Sequence, residues 1–166
     1  MDRTSYGVTD IGLIRDANED SLLRLDGSGV YAVADGVGGE AAGDRASKLT
    51  VETLEAGAPT LAALVEKADG DGGEAARRAV FDELQRLVEA ANSAVYEQSH
   101  ADEDMRGMMT TLSIVVLARS AAYIAHVGDS RIYLLRDREL EQLSVDHTLA
   151  EELVRAGRMS REDVAS

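Results

Sequence analysis

An α+β fold built on antiparallel strands is predicted by three observations. A candidate hairpin sits near the start of the chain, two helical stretches follow it, and the second half carries four short β-rich runs. The links between those runs, Arg119-Ser120-Ala121 and Asp137-Arg138-Glu139 among them, are too short for a crossover helix. Neighbouring strands must therefore pair antiparallel, and a doubly wound parallel sheet is excluded.

Tyr6-Gly7-Val8-Thr9 reads as a short first strand, and Asp10 to Asp20 fits neither regular period, as expected of a loop. Ser21 to Leu25 and Val30 to Ala34 flank Asp26-Gly27-Ser28-Gly29, whose Asp-Gly step suits the positive φ angles of a hairpin turn. Val30 to Ala34 is small, β-branched or aromatic throughout, the pattern of a strand buried on both faces. It ends in Asp35, followed by Gly36, Val37, Gly38 and Gly39. That places a carboxylate on a rigid support beside backbone able to approach a ligand closely. Hairpin pairing would carry Asp20 and Asp35 to the same edge, and like charges held together need a cation.

Glu40 to Glu55 has helical spacing, with Ala42, Ala46, Leu49 and Thr53 on one stripe, and Gly57-Ala58-Pro59 is expected to end that helix. Asp69-Gly70-Asp71-Gly72-Gly73 reads as an exposed turn. From Glu74 to about Gln98, Val80, Leu84, Leu87, Val88, Ala91 and Val95 repeat at three- and four-residue steps, a packing face. Strands are then predicted over Thr111–Ala118, Ala122–Val127, Ile132–Arg136 and Leu140–Leu143, joined as a meander that Gly128-Asp129-Ser130-Arg131 interrupts. A last helix runs from Thr148 to Ala156 with Gly157 as its cap. Ser160-Arg161-Glu162-Asp163 has the form of a helix start with little chain after it, so the reading is a single domain over 1–166, expected to continue in a larger protein.

Composition narrows the chemistry. The 166 residues include 31 acidic and 17 basic side chains, a formal charge of −14, which disfavours nucleic acid and anionic membrane surfaces and favours metal cations. There is no cysteine and only three histidines, His100, His126 and His147, which argues against zinc. No apolar run approaches the ~20 residues of a membrane span and the first residues lack a signal-peptide core, so a soluble, cytoplasmic chain is expected.

Arg15, Glu19, Asp20, Asp35 and Asp129 are one cation and four carboxylates on loops or strand ends where they can converge. Hard divalent ions take such oxygen ligands, two ions about 4 Å apart orient an in-line attack on phosphorus, and arginine offers a planar fork to a phosphoryl group. Taken singly, each has a plainer reading. Asp35 suits a helix cap, Arg15 and Glu19 a surface ion pair, and Asp129 a turn. Ser130 is no nucleophile, because Ile132 breaks a Gly-x-Ser-x-Gly elbow, and Val80 stands where a calcium loop beginning at Asp69 needs glutamate. Gly36-Val37-Gly38-Gly39-Glu40-Ala41 also fits a dinucleotide fingerprint, but no second parallel strand follows.

Thr9-Asp10-Ile11-Gly12, Arg15, Asn18-Glu19-Asp20 and Val33 to Gly39 together resemble the type 2C metal-dependent serine/threonine phosphatases of bacteria. Thr110-Thr111-Leu112, Ala125 to Arg131 and Asp146-His147 follow in that family's order, so the resemblance spans nearly the whole chain. It implies an α/β/β/α sandwich of two antiparallel sheets flanked by helices, incomplete at the C-terminus. It also implies hydrolysis of phosphoserine or phosphothreonine in proteins by a metal-activated water, in signalling opposite a serine/threonine kinase. By the same resemblance Asp35 bridges two manganese or magnesium ions and Gly36 offers its carbonyl to one. Glu19 and Asp20 hold metal-bound waters, Arg15 binds substrate phosphate, and Asp129 serves a weaker third ion. Val37 stands where many members carry a histidine acid, Met109 where a glycine is usual, and the family's remaining metal-binding aspartates are not within these residues. A non-catalytic binding or regulatory domain is the alternative, with the dinucleotide-binding domain as an outsider.

Overall fold

The computed structural model describes residues 3–38, 42–70, 72–160 and 163. Strands β1 (Asp20–Leu25) and β2 (Val30–Val37) form the expected hairpin, closed by amide bonds from Ser28 and Gly29 to the Leu25 carbonyl. Helices α1 (Ala42–Asp69) and α2 (Gly73–Ala101) follow, with a 3₁₀ turn at Glu103–Met105. Then come β3 (Met109–Thr110), β4 (Leu112–Leu117), β5 (Ala122–Val127), β6 (Tyr133–Arg136), β7 (Glu139–Gln142) and α3 (Leu149–Arg155).

The main sheet has the order β1-β2-β4-β5, with β3 beside the end of β2, and every pairing is antiparallel. That removes the dinucleotide-binding outsider, which requires parallel strands. The meander splits after β5. Gly128 takes φ +106°, the chain leaves the main sheet, and β6 and β7 pair only with each other around Asp137 and Arg138, both at positive φ. A two-residue turn of that handedness matches the twist of its strands.

One face of the main sheet makes the core. Leu23, Val30, Ala32, Ile114 and Val116 meet Leu54, Leu61 and Val65 of α1 and Val80, Leu84 and Leu87 of α2, all buried. The other face is open, which corrects the reading of β2 as buried on both sides: alternate residues Val33 and Val37 are about half exposed. An apolar run thus covers a strand with a single packed face. Over that open face lie residues 3–8 in irregular conformation, not the predicted strand at Tyr6–Thr9. A Cβ at Gly7 would lie 2.8 Å from Arg24 Cδ, so this segment rests on β1 side chains instead of bonding to strand backbone.

Helix α1 also corrects expectation by running through Pro59. Leu54, Ala58, Leu61 and Val65 are buried along one stripe, and Gly57 lets the Leu87 side chain approach closely, so packing outweighs the missing Pro59 amide. Asp71 of the inter-helix turn and the predicted start at Arg161 and Glu162 lie outside the described residues. Ser160 and Asp163 bond reciprocally, Asp163 N–H donating to Ser160 Oγ and Ser160 N–H to the Asp163 carboxylate.

Two measurements check this packing. Pro59→Ala should stabilise the chain by about 1–3 kcal/mol in urea, since Pro59 is exposed and regains a helical hydrogen bond; a helix interrupted there would give no gain. Leu61→Ala should cost about 2–5 kcal/mol in the same assay.

Candidate active site

The β1–β2 register sets Asp20 directly opposite Asp35. The entry to β1 is fixed by Asn18, whose side-chain oxygen accepts the Asp20 amide at 3.1 Å while its Nδ2 donates to Thr9 Oγ1 at 2.9 Å. The paired threonines hold Asp35 from the other side. Asp35 N–H donates to Thr111 Oγ1 at 3.0 Å, and the Asp35 carbonyl accepts Thr111 N–H at 2.9 Å and Thr110 Oγ1 at 3.1 Å.

Gly36 is buried and donates its amide to the Glu19 carbonyl at 3.1 Å. A Cβ there would overlap the Gly43 carbonyl, and a Cβ on Gly43 would overlap the Glu19 carboxylate. The first turn of α1 therefore packs against the end of β2 only because both positions are glycine. Gly43, a plain helical residue by sequence, is one that sequence reasoning missed.

The Asp35 carboxyl is pushed above the usual carboxylate range, first by partial burial and then by the charge of Asp20, with Arg15 opposing. A hydrogen bond with Asp20 and the charge of Asp129 raise it further. Four of the five predicted groups are thus within electrostatic reach of one another. Glu19 diverges, its carboxylate against Gly43 and 3.8 Å from Arg15. Among the described residues, no three Asp, Glu or His side chains close on one point as a metal cage. The predicted convergence of four carboxylates is therefore met by one facing pair, with Asp129 and Arg15 around it. Asp35 lies inside β2, opposite Asp20. Val37 is exposed and carries no proton to donate.

A facing pair of hard oxygen donors, Asp20 exposed and Asp35 partly buried, suits a magnesium- or manganese-like cation, which would relieve the repulsion that raises Asp35. Beside the pair, Gly128-Asp129-Ser130-Arg131 is anchored by Arg131, which forks onto Asp146 at 2.6 and 2.9 Å. That fork holds the Asp146 carboxyl below its ordinary value.

A family model described as protein phosphatase 2C matches residues 15–161. The chain belongs to the protein phosphatase 2C family. Among relatives, it is 39% identical over 159 residues to the serine/threonine protein phosphatase PstP of Mycobacterium tuberculosis, covering 95% of this chain and 28% of PstP. It is 37% identical over 158 residues to the serine/threonine phosphatase stp of Listeria monocytogenes, covering 93% of this chain and 59% of that protein. The chain thus spans well under two thirds of these relatives. A crystal structure of PstP superposes with a TM-score of 0.74 at 37% identity, over 91% of this chain and 57% of the other. The S. agalactiae serine/threonine phosphatase gives 0.77 at 34% identity, over 96% and 62%. The PstP catalytic domain has been solved in complex with two manganese ions, and it superposes at 0.72 with 37% identity. For this protein phosphatase 2C chain, two antiparallel sheets with helices are shared with those structures.

The facing carboxylates have a measurable signature. Because the folded Asp35 pKa is raised, its contribution to stability is complete below about pH 4 and is lost as pH rises through the folded value. In EDTA, Asp35→Asn should therefore melt with the parent near pH 4 and about 1–3 °C above it at pH 7, as read by calorimetry. Equal melting temperatures at pH 7 would mean that the two carboxylates do not repel.

Proposed function

We propose that this chain contributes the metal-binding half-site of a protein phosphatase that removes phosphate from phosphoserine and phosphothreonine. The observation that carries the reading is the Asp20–Asp35 pair at the mouth of β2, within a protein phosphatase 2C domain. In this reading Asp35 would hold both of two manganese or magnesium ions, the Gly36 carbonyl would hold one of them, Glu19 and Asp20 would act through ordered water, and Asp129 would serve a weaker third ion. When bound, such ions activate the attacking water and neutralise phosphoryl charge.

Arg15 then grips the substrate phosphate. Its side chain is 63% exposed and meets Glu19 only at 3.8 Å, a loose pair that leaves the guanidinium fork available. Substrates are phosphoproteins, made by a serine/threonine kinase and met in the cytoplasm during signalling. No helix among the described residues is long and apolar enough to cross a membrane. The charge of −14 supports protein substrates over nucleic acid. The manganese-bound PstP catalytic domain supports the choice of metal.

A second reading is a non-catalytic domain that binds a phosphorylated segment or a regulatory partner; it is favoured because, among the described residues, no third Asp, Glu or His closes with Asp20 and Asp35 on one point. Manganese-dependent hydrolysis of p-nitrophenyl phosphate separates the two. This chain alone is expected to turn over little, whereas a form extended with the remaining C-terminal part of a relative is expected to be active. In the extended form Asp35→Asn should lower kcat at least about 100-fold, and Arg15→Ala should act mainly on KM for phosphopeptides. Turnover by the extended form that is indifferent to Asp35→Asn would leave the non-catalytic reading.

A further inference from the structure

Asp129 is exposed, and no hydrogen bond holds its carboxylate among the described residues. Its position beside Asp35 must therefore come from the backbone on either side. Gly128 and Ser130 are both tied down, and the ties meet at one histidine.

His126 on β5 is the cross-strand partner of Ser113 on β4. Its Nε2 lies 2.9 Å from the Gly128 carbonyl, and its Nδ1 lies 2.9 Å from Ser113 Oγ. A carbonyl only accepts, so Nε2 carries the proton, and in the neutral ring Nδ1 is left to accept from the Ser113 hydroxyl. Ser113 is buried, and the Ser130 carbonyl lies 3.2 Å from its oxygen, a second acceptor that competes with Nδ1 for the one hydroxyl proton. Ser130 Oγ in turn lies 2.7 Å from Thr111 Oγ1, the atom that accepts the Asp35 amide.

The same Gly128 carbonyl accepts His147 N–H at 2.7 Å, and the His126 and His147 rings sit 5.2 Å apart. Gly128 itself has φ +106°, and a Cβ there would lie 2.7 Å from Thr111 Cγ2. Glycine allows that conformation, and the two donors on its carbonyl fix which way the loop leaves β5. His126 supplies one of the two.

We propose that His126 is a positioning residue for Asp129: through Nε2–H on Gly128 and Nδ1 on Ser113 it aims the Gly128–Arg131 loop at Asp35. The inference rests on the metal-ion role proposed above for Asp129, but the loop geometry is measurable without metal. Glutamine reproduces the distal donor, asparagine only the proximal group, and phenylalanine neither.

The test uses the whole 166-residue chain, labelled with ¹⁵N. Long-range proton–nitrogen spectra at pH 7.5 should show His126 protonated at Nε2 and bare at Nδ1; the opposite tautomer overturns the proposal. Amide exchange at Gly128 and His147 should quicken at least about 10-fold in His126→Phe and His126→Asn, and stay near the parent in His126→Gln. Unchanged exchange in the phenylalanine and asparagine variants also overturns it. Should the phenylalanine variant fail to fold, the glutamine and asparagine pair decides, since both keep a polar side chain.

Added manganese should broaden the Asp129 amide in the parent and the glutamine variant, and less in the asparagine variant. No broadening in the parent, with exchange still faster in the asparagine variant, would tell against a metal ion at Asp129 while upholding the role of His126 in the loop.

Discussion

Two carboxylates placed opposite each other across a hairpin are an unfavourable arrangement that the rest of this fold maintains. Asp20 and Asp35 repel, and partial burial of Asp35 deepens the cost. The pairing persists because each acid is held by its backbone: Asn18 and Thr9 on one side, Thr110 and Thr111 on the other. The hydrophobic side of the same strands, packed on α1 and α2, supplies the stability that offsets the repulsion. A protein that keeps such a pair near its surface keeps a place for a cation.

Two glycines define how closely the helical layer approaches that place. Gly36 and Gly43 bring the first turn of α1 onto the end of β2, where the Gly36 amide also bonds the Glu19 carbonyl at the entry to β1. The loop carrying Asp129 arrives from the other side, secured by the Arg131–Asp146 fork and the His126 bonds. Three separate parts of the chain therefore meet at the mouth of β2, each positioned by contacts other than those between Asp20 and Asp35.

What was legible in the sequence follows from how local each signal is. The β1–β2 hairpin and the facing of Asp20 and Asp35 were legible because the turn residues Asp26 to Gly29 are local, although the positive φ falls on Gly29 (+69°) and not on the Asp26-Gly27 step. The length of α1 was not, because Pro59 is a local stop signal and the burial of Ala58 and Leu61 that overrides it is tertiary. The strand predicted at Tyr6–Thr9 failed for the complementary reason: a β-like composition needs a neighbour's backbone, and Gly7 rests instead on the Arg24 and Leu22 side chains. At the site, Asp35, Asp20 and Arg15 were nameable from their pattern, and the β1–β2 register sets two of them, Asp20 and Asp35, opposite each other. The role of Ser113 and His126 was hidden, since they become partners only through the β4–β5 register. Glu19 read as a converging acid, and its turn toward Gly43 could not be seen without α1 in place.

The contact between Thr111 and Asp35 has a kinetic meaning as well. Hairpin β1–β2, the α1–α2 pair and hairpin β4–β5 each join neighbours in the chain, so each can form early and alone. The β2–β4 pairing joins strands across both helices, and the Asp35–Thr111 bond beside it spans 76 positions. Closing so long a loop is entropically slow, and it comes after the local pieces exist to reward it. Thr111 reaches Asp35 only in that closure. The acid pair is therefore completed in the same step that commits the domain to its native topology, and a half-folded chain would present Asp35 without the threonines that aim it.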